Sequence, residues 1–233
     1  MVSMAAVEFC SKLTDSCYSS FLALVSPERK SRAAAFRRKE DACRCVIAEV
    51  LARYCIAGRE KLPPEAIVFQ NNNFGKPSVE LPGKSQFNIS HSGSWVVCAT
   101  DDGPIGIDIE RIHLPDFEMA KRFFHPDEIS EMIDLPKKLR TERFFELWTL
   151  KESYIKTIGK GLSCPLDSFT LFFDRDQITM RAGQDCPVLF FKLYDFGPYY
   201  KCSLCLSHRQ FPEKIEIISP ERLLEKINIL SGR

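Results

Sequence analysis

Apolar positions in this chain recur with two different periods, and the alternation between them outlines the fold. From 27 to about 57 they fall at three- and four-residue spacing. Val46, Ile47, Val50, Leu51 and Tyr54 share one face, which predicts a helix closed by Gly58. Pro63-Pro64 and Asn71-Asn72-Asn73 mark turns. Short strands are predicted near 66–70, 86–90, 95–100 and 104–110. Helical spacing then resumes, with short helices over 117–124 and 127–134 and a long one over 140–158 ended by Gly159 and Gly161. Strands follow near 168–173, 177–181, 187–194, 199–207 and 214–218, and a last helix at 220–230. A helical portion followed by strands thus occurs twice. The expected fold class is α+β, with an N-terminal half over 1–112 and a C-terminal half over 113–233.

Net charge is +1, so no global field favours nucleic acid or a membrane surface. Basic residues are nevertheless concentrated over 28–44, where Arg29, Lys30, Arg32, Arg37, Arg38, Lys39 and Arg44 outnumber Glu28, Glu40 and Asp41. Residues 1–20 lack a basic segment followed by an apolar core, and no apolar run reaches the roughly 20 residues of a membrane span. The ten cysteines are therefore expected to be reduced thiols in the cytoplasm. Cys202, Cys205 and His208 have zinc-like spacing, but an offset of three on a strand sends the two sulfurs to opposite faces.

Two segments carry chemistry. Over 105–110 isoleucines alternate with other residues, so Asp108 and Glu110 share the strand face opposite Ile105, Ile107 and Ile109. Adjacent carboxylates repel each other, and a hard cation such as Mg²⁺ relieves that by taking oxygen ligands. A solvated acidic strand face is the alternative. In the long helix Trp148, Glu152 and Lys156 are four apart and form one stripe, adding a third carboxylate and a cation.

G-I-D-I-E at 106–110 and W-T-L-K-E-S-Y-I-K at 148–156 together resemble the double signature of the 4′-phosphopantetheinyl transferases, particularly the larger, surfactin-synthetase-activating type. S-P-E-R-K-S-R at 26–32, R-K-E-D-A-C-R at 38–44, F-G-K-P at 74–77 and F-N-I-S-H-S-G at 87–93 are similar to segments of that type and occur in its order. The resemblance runs from about 26 to 212. It implies a pseudo-twofold monomer of two similar α+β halves with the active site at their interface. The implied reaction transfers 4′-phosphopantetheine from coenzyme A to a serine hydroxyl of an apo carrier protein. The hydroxyl attacks the β-phosphorus and adenosine 3′,5′-bisphosphate leaves.

Carried over by motif, Asp108, Glu110 and Glu152 hold Mg²⁺, and Lys156 binds the pyrophosphate. Glu152, or a water it orients, is the first candidate for general base, and Glu128 is the second. Lys151 supports the coenzyme site from its flank. Ser90 and His91 are assigned to the coenzyme 3′-phosphate together with Arg29, Arg32 and Arg44, and the family often has lysine at the first two of these arginines. Lys76 and Pro77 match the adenine-side loop. Carrier proteins of this kind are acidic helical bundles. The stretch 117–124, with Lys121 and Arg122, reads equally as a docking surface or as a packed amphipathic helix. Two other readings share parts of this pattern: a metal-dependent phosphoryl-transfer enzyme that uses water as nucleophile, and a coenzyme A or carrier-binding module without catalysis. An intact carboxylate–lysine set speaks against the second, since binding alone needs no acidic metal site.

Overall fold

Two long helices carry the fold, each laid against its own sheet. A computed structural model describes residues 1–9, 13–80, 83, 85–174, 177–183 and 186–232, with the backbone alone at Leu162. In chain order the elements are β1 (Ser3–Glu8), α1 (Asp15–Ala23), α2 (Pro27–Ala34), α3 (Lys39–Glu60), β2 (Phe69–Asn71), β3 (Pro77–Val79), β4 (Gln86–Ser92), β5 (Trp95–Asp101) and β6 (Ile105–Arg111). Then come α4 (Phe117–Phe123), α5 (Pro126–Asp134), α6 (Lys137–Ile158), β7 (Thr170–Asp174), β8 (Gln177–Arg181), β9 (Phe190–Asp195), β10 (Tyr200–Leu206), β11 (Glu216–Ile218) and α7 (Pro220–Leu230).

The first compact unit comprises residues 1–71, 77–103 and 212–233. Its sheet runs β11-β1-β5-β4; β5 is antiparallel to both neighbours, and β11 joins β1 in parallel. Val46, Ile47, Val50 and Leu51 of α3 are buried in one core with Val7, Val96 and Cys98 of the sheet. The predicted helix over 27–57 is two helices, because α2 ends at Ala34 and the chain turns before α3 begins at Lys39. The cause lies in a buried carboxylate. Glu49 of α3 accepts hydrogen bonds from the Ser26 backbone N–H (2.8 Å), from Arg29 Nε (3.0 Å) and from Arg53 Nη2 (2.8 Å). Meeting Ser26 and Arg29 requires α2 to fold back along α3. Arg53 also donates to the carbonyls of Pro64 and Ile67, which fixes the chain leaving α3. β1 and α1, ahead of that hairpin, have no counterpart among the predicted elements.

The second unit comprises residues 72–76 and 104–211. Its sheet, β6-β10-β9, is antiparallel throughout. The predicted boundary at 112/113 is therefore corrected. β6 pairs with β10, Asp108 opposite Ser203, and leaves the first half, while β11 and α7 return to it by pairing with β1. The α+β expectation is met in each unit.

α6 lies directly on β6 and β10. A Cβ on Gly106 would stand 2.1 Å from the Ser153 carbonyl oxygen and 2.5 Å from the Thr157 nitrogen, so only glycine allows this approach. Small polar residues line the helix side of the seam. Thr157 Oγ1 donates to Ser153 O (2.8 Å), Thr149 Oγ1 to Phe145 O (3.0 Å), and Ser203 Oγ of β10 to Thr149 O (2.7 Å). Their hydroxyls thus find acceptors without the bulk that would hold helix and sheet apart.

Gly106→Ala is expected to destabilise the fold by about 1–3 kcal/mol through overpacking against helix backbone, and a lowered thermal midpoint is the check. For Glu49, burial raises the carboxyl pKa, but the Ser26 N–H, Arg53 and Arg29 outweigh burial and leave it below its ordinary value. Its contribution to stability is then complete above the unfolded carboxylate pKa and is lost as pH falls through the lowered folded one. Glu49→Ala should cost about 3–5 kcal/mol at neutral pH. Denaturant titrations of both proteins should show that gap closing on acidification, and a gap independent of pH would contradict the assignment.

Candidate active site

The seam at Gly106 decides what lies beside it. Gly106, Asp108 and Glu110 share one face of β6, and α6 covers that face at Gly106. One step further along the strand, the Glu152–Lys156 end of the helix stripe meets Asp108, while Trp148 packs among Phe123, Phe124 and Phe144. Lys156 Nζ donates to Asp108 Oδ1 (2.6 Å) and to the Ile107 carbonyl (3.3 Å). Asp108 is buried, whereas Lys156 and Glu152 are half-buried. Burial raises the Glu152 carboxyl pKa; Lys156 opposes that and the charge on Asp108 adds to it, for a net increase. Two carboxylates thus share a poorly hydrated site. Glu110 is half-buried further along the same face.

Among the described residues no three His, Cys, Asp or Glu side chains are already gathered in metal-binding geometry. The oxygen donors still suit Mg²⁺, which binds through one or two carboxylates together with waters and substrate phosphate. Asp108 and Glu152 meet that requirement, and Lys156 is the counter-charge between strand and helix in this structure.

Two predicted site residues take another place. Glu128 and Lys151 are fully buried and paired, Nζ to Oε2 2.9 Å. The carboxylate caps the start of α5 by accepting the His125 N–H (2.8 Å) and also accepts the Leu171 N–H (2.7 Å). Lys151 Nζ donates to the carbonyls of Leu166 (2.7 Å) and Phe169 (2.8 Å). A general base must reach solvent-borne substrate and a coenzyme ligand must face it; neither group does.

In the first unit, Arg44 Nη1 donates to the carbonyl of Gly93 (2.5 Å), in the turn that follows Ser90 and His91 on β4. Gly93 has φ +55°, the left-handed conformation a tight β4–β5 turn requires. Arg44, Ser90 and His91 are thus brought to one end of the sheet, His91 exposed and Ser90 buried. Arg29 is anchored by Glu49, and Arg32 is exposed on α2.

Lys76 lies at the tip of the β2–β3 hairpin, just before Pro77 opens β3. Among the described residues its ammonium meets carbonyls, Ile105 O at 3.2 Å and Thr157 O at 3.4 Å, and burial lowers its pKa to about 8. Asn72 shapes this tip. Its Oδ1 accepts the N–H groups of Phe74 and Lys76, and its Nδ2 donates to the Gly159 carbonyl (2.9 Å), closing the end of α6. In the sequence Asn72 marks a turn; an asparagine before a glycine turn also bonds its own backbone two residues on, as Asn72 does here.

The stretch 117–124 packs on one face and is open on the other. Ala120 and Phe124 are buried, and Phe117 is part-exposed beside a groove of about 160 Å³ shared with Ile129, Met132 and Ile133. Cys202 and Cys205 are both buried on β10, opposite Ile109 and Gly106, with burial raising each thiol's pKa. The described cysteines are free thiols, and among the described residues no helix is long and apolar enough to cross a membrane.

Known proteins resemble this chain over most of its length. The family model described as 4′-phosphopantetheinyl transferase, N-terminal, matches residues 12–103, and that of the 4′-phosphopantetheinyl transferase superfamily matches residues 104–205. Their junction falls where the chain crosses between the two units before β6. The 4′-phosphopantetheinyl transferase Sfp of Bacillus subtilis (strain 168) is 41% identical over 205 residues, covering 88% of this chain and 92% of that protein. The psf-1 transferase of Bacillus pumilus is 39% identical over 205 residues, 88% of each chain. The gsp transferase of Aneurinibacillus migulanus is 36% identical over 206 residues, covering 88% of this chain and 86% of its own. With both family models matched in order and identity sustained over most of its length, the chain belongs to the 4′-phosphopantetheinyl transferase superfamily.

Proposed function

We propose that this protein transfers the 4′-phosphopantetheine arm of coenzyme A to a serine hydroxyl of an apo carrier protein, and that Asp108, Glu152 and Glu110 hold a Mg²⁺ ion for that reaction. The observation that carries the reading is the meeting of Asp108, Glu152 and Lys156 beside the Gly106 seam. When bound, Mg²⁺ supplies Lewis-acid neutralisation of the pyrophosphate charge. The protein's own share is positioning and proton transfer.

Lys156 is half-exposed on a pair that a phosphate can compete for. Its ammonium then binds the pyrophosphate and offsets the charge gathering on the departing bisphosphate. Glu152 accepts the serine proton, directly or through one water. Its raised pKa brings its basicity closer to working pH than that of an ordinary surface carboxylate. As the serine Oγ–P bond forms, the bond from the β-phosphorus to the bridging oxygen breaks, and adenosine 3′,5′-bisphosphate carries away the electron pair. Arg44, with Ser90 and His91, takes the coenzyme 3′-phosphate, joined by Arg29 and Arg32. Lys76, still largely protonated at neutral pH, adds positive charge on the adenine side, and Pro77 belongs to the same adenine-side loop. The same reading has the enzyme act in the cytoplasm, as a monomer, on carrier domains of peptide, polyketide or fatty-acid synthases.

Mass spectrometry of an apo carrier protein incubated with this protein, coenzyme A and Mg²⁺ should show one added phosphopantetheine on serine. Asp108→Ala should cut that rate by about a thousandfold or more, the loss expected when a metal-held phosphate clamp is removed. A wild-type rate from that variant would exclude the carboxylate assignment.

Arg44 supplies a second test. Each charge-assisted hydrogen bond to the 3′-phosphate should contribute about 1.5–3 kcal/mol. By calorimetry Arg44→Ala should weaken coenzyme A binding about ten- to a hundredfold and leave dephospho-coenzyme A nearly unchanged. Equal losses for both ligands would remove Arg44 from the phosphate site.

A further inference from the structure

The Glu128–Lys151 pair has no exposed side-chain surface at either partner. All three donors of the Lys151 ammonium are engaged, by Glu128 Oε2, Leu166 O and Phe169 O, and the ammonium lies 4.1 Å from the Phe169 ring centroid. Both carboxylate oxygens accept, Oε1 from Leu171 and Oε2 from His125 as well as Lys151. Nothing is left over for a substrate. What the pair does hold is α6. It ties the middle of that helix to the start of α5, to the 3₁₀ turn Leu166–Ser168 and to β7.

The angular position of that tie is informative. At about 100° per residue, the Trp148-Glu152-Lys156 stripe lies roughly 100° around α6 from the Thr149-Ser153-Thr157 seam. Lys151 lies roughly 100° from the stripe on its other side. Close packing and small hydroxyls hold the seam side, and on the other a buried ion pair adds directional bonds to the apolar packing of Leu147, Leu150 and Tyr154. A helix held on one side alone can roll, and a roll moves Glu152 relative to Asp108, which belongs to the strand.

We infer that Glu128 and Lys151 are positioning residues, a buried pair that locks the roll of α6 and thereby sets Glu152 against Asp108. The inference rests on the reading of Asp108 and Glu152 as cation ligands. Electron paramagnetic resonance of Mn²⁺ binding, without coenzyme A, separates the two. Wild-type protein should bind Mn²⁺, and a wild type that does not would overturn the cation reading and this inference with it. Glu128→Gln and Lys151→Met should each weaken Mn²⁺ binding about tenfold or more, as loss of an outer partner of a metal ligand does. Each should lower kcat about 30-fold while KM for coenzyme A stays within about threefold. In the double variant the losses should not multiply, because the two residues act as one unit.

An unchanged Mn²⁺ affinity in either folded single variant would overturn the inference. So would a tenfold rise in KM for coenzyme A in Lys151→Met, which would make Lys151 a coenzyme contact, or losses that multiply in the double variant. If the single variants do not fold, the double variant decides, since it leaves no unpaired charge in the interior. Weakened Mn²⁺ binding by a folded double variant supports the lock. Wild-type binding, or failure of the double variant to fold, overturns it.

Discussion

The close approach of α6 to β6 at Gly106 is the constraint on which the site in the second unit depends. A helix normally stands off a sheet by the depth of two layers of side chains. Here a missing Cβ on the strand and a row of threonine and serine on the helix reduce that depth until backbone meets backbone. Side chains flanking such a seam are brought into contact that ordinary packing would deny them. Asp108 follows Gly106 by two residues on the same strand face, and Glu152 and Lys156 each immediately precede a seam residue. Local packing therefore produces the 2.6 Å contact between lysine and aspartate and raises the Glu152 carboxyl. The glycine of G-I-D-I-E and the small residues of W-T-L-K-E-S-Y-I-K are as much a part of the chemistry as the charged residues between them.

Much of the fold was legible because its periods are strong. α6 and the strands β4, β5, β6 and β10 follow runs whose spacing is unambiguous, and the α+β class followed from their order. Three features were not legible, for reasons that can be named. The break between α2 and α3 answers a tertiary demand, the reach of Glu49 back to Ser26 and Arg29, which no local propensity encodes. The assignment of β6 to the second unit depends on its pairing with β10, some ninety residues later in the chain, and periodicity carries no partner information. β1 and α1 are short, and neither carries a run of apolar spacing as long as those of α3 and α6.

Site residues divide in the same way. For the candidate residues, the strand face of Asp108 and the helix stripe of Glu152 and Lys156 were legible from spacing, because strand and helix periods define such faces. Arg44 and the turn after His91 were legible from motif resemblance, and the fold brings them together through the Gly93 carbonyl. Glu128 and Lys151 were not: a carboxylate at a helix start and a lysine beside Glu152 look reactive in one dimension, and only burial shows otherwise.

Chemically similar pairs have thus been given opposite roles by their surroundings. Glu128–Lys151 is sealed on both sides and its remaining hydrogen-bonding capacity is taken up by backbone N–H and carbonyl groups, so removing either partner strands a buried charge, at about 3–5 kcal/mol. Asp108–Lys156 is sealed on the strand side only, the lysine side chain keeping 25% of its surface exposed. Lys156 is therefore the member of that pair that water and solutes can reach, while Asp108 stays buried. On the proposed reading, a pyrophosphate with its cation would offer Lys156 more negative charge than Asp108 does, and would offer Asp108 a divalent ion in place of an ammonium. On that reading the half-open pair gives way to ligand contacts, while the sealed pair keeps the helix in place as that exchange occurs. Reversing the two environments would give a rigid site unable to release its lysine, carried on a helix free to roll.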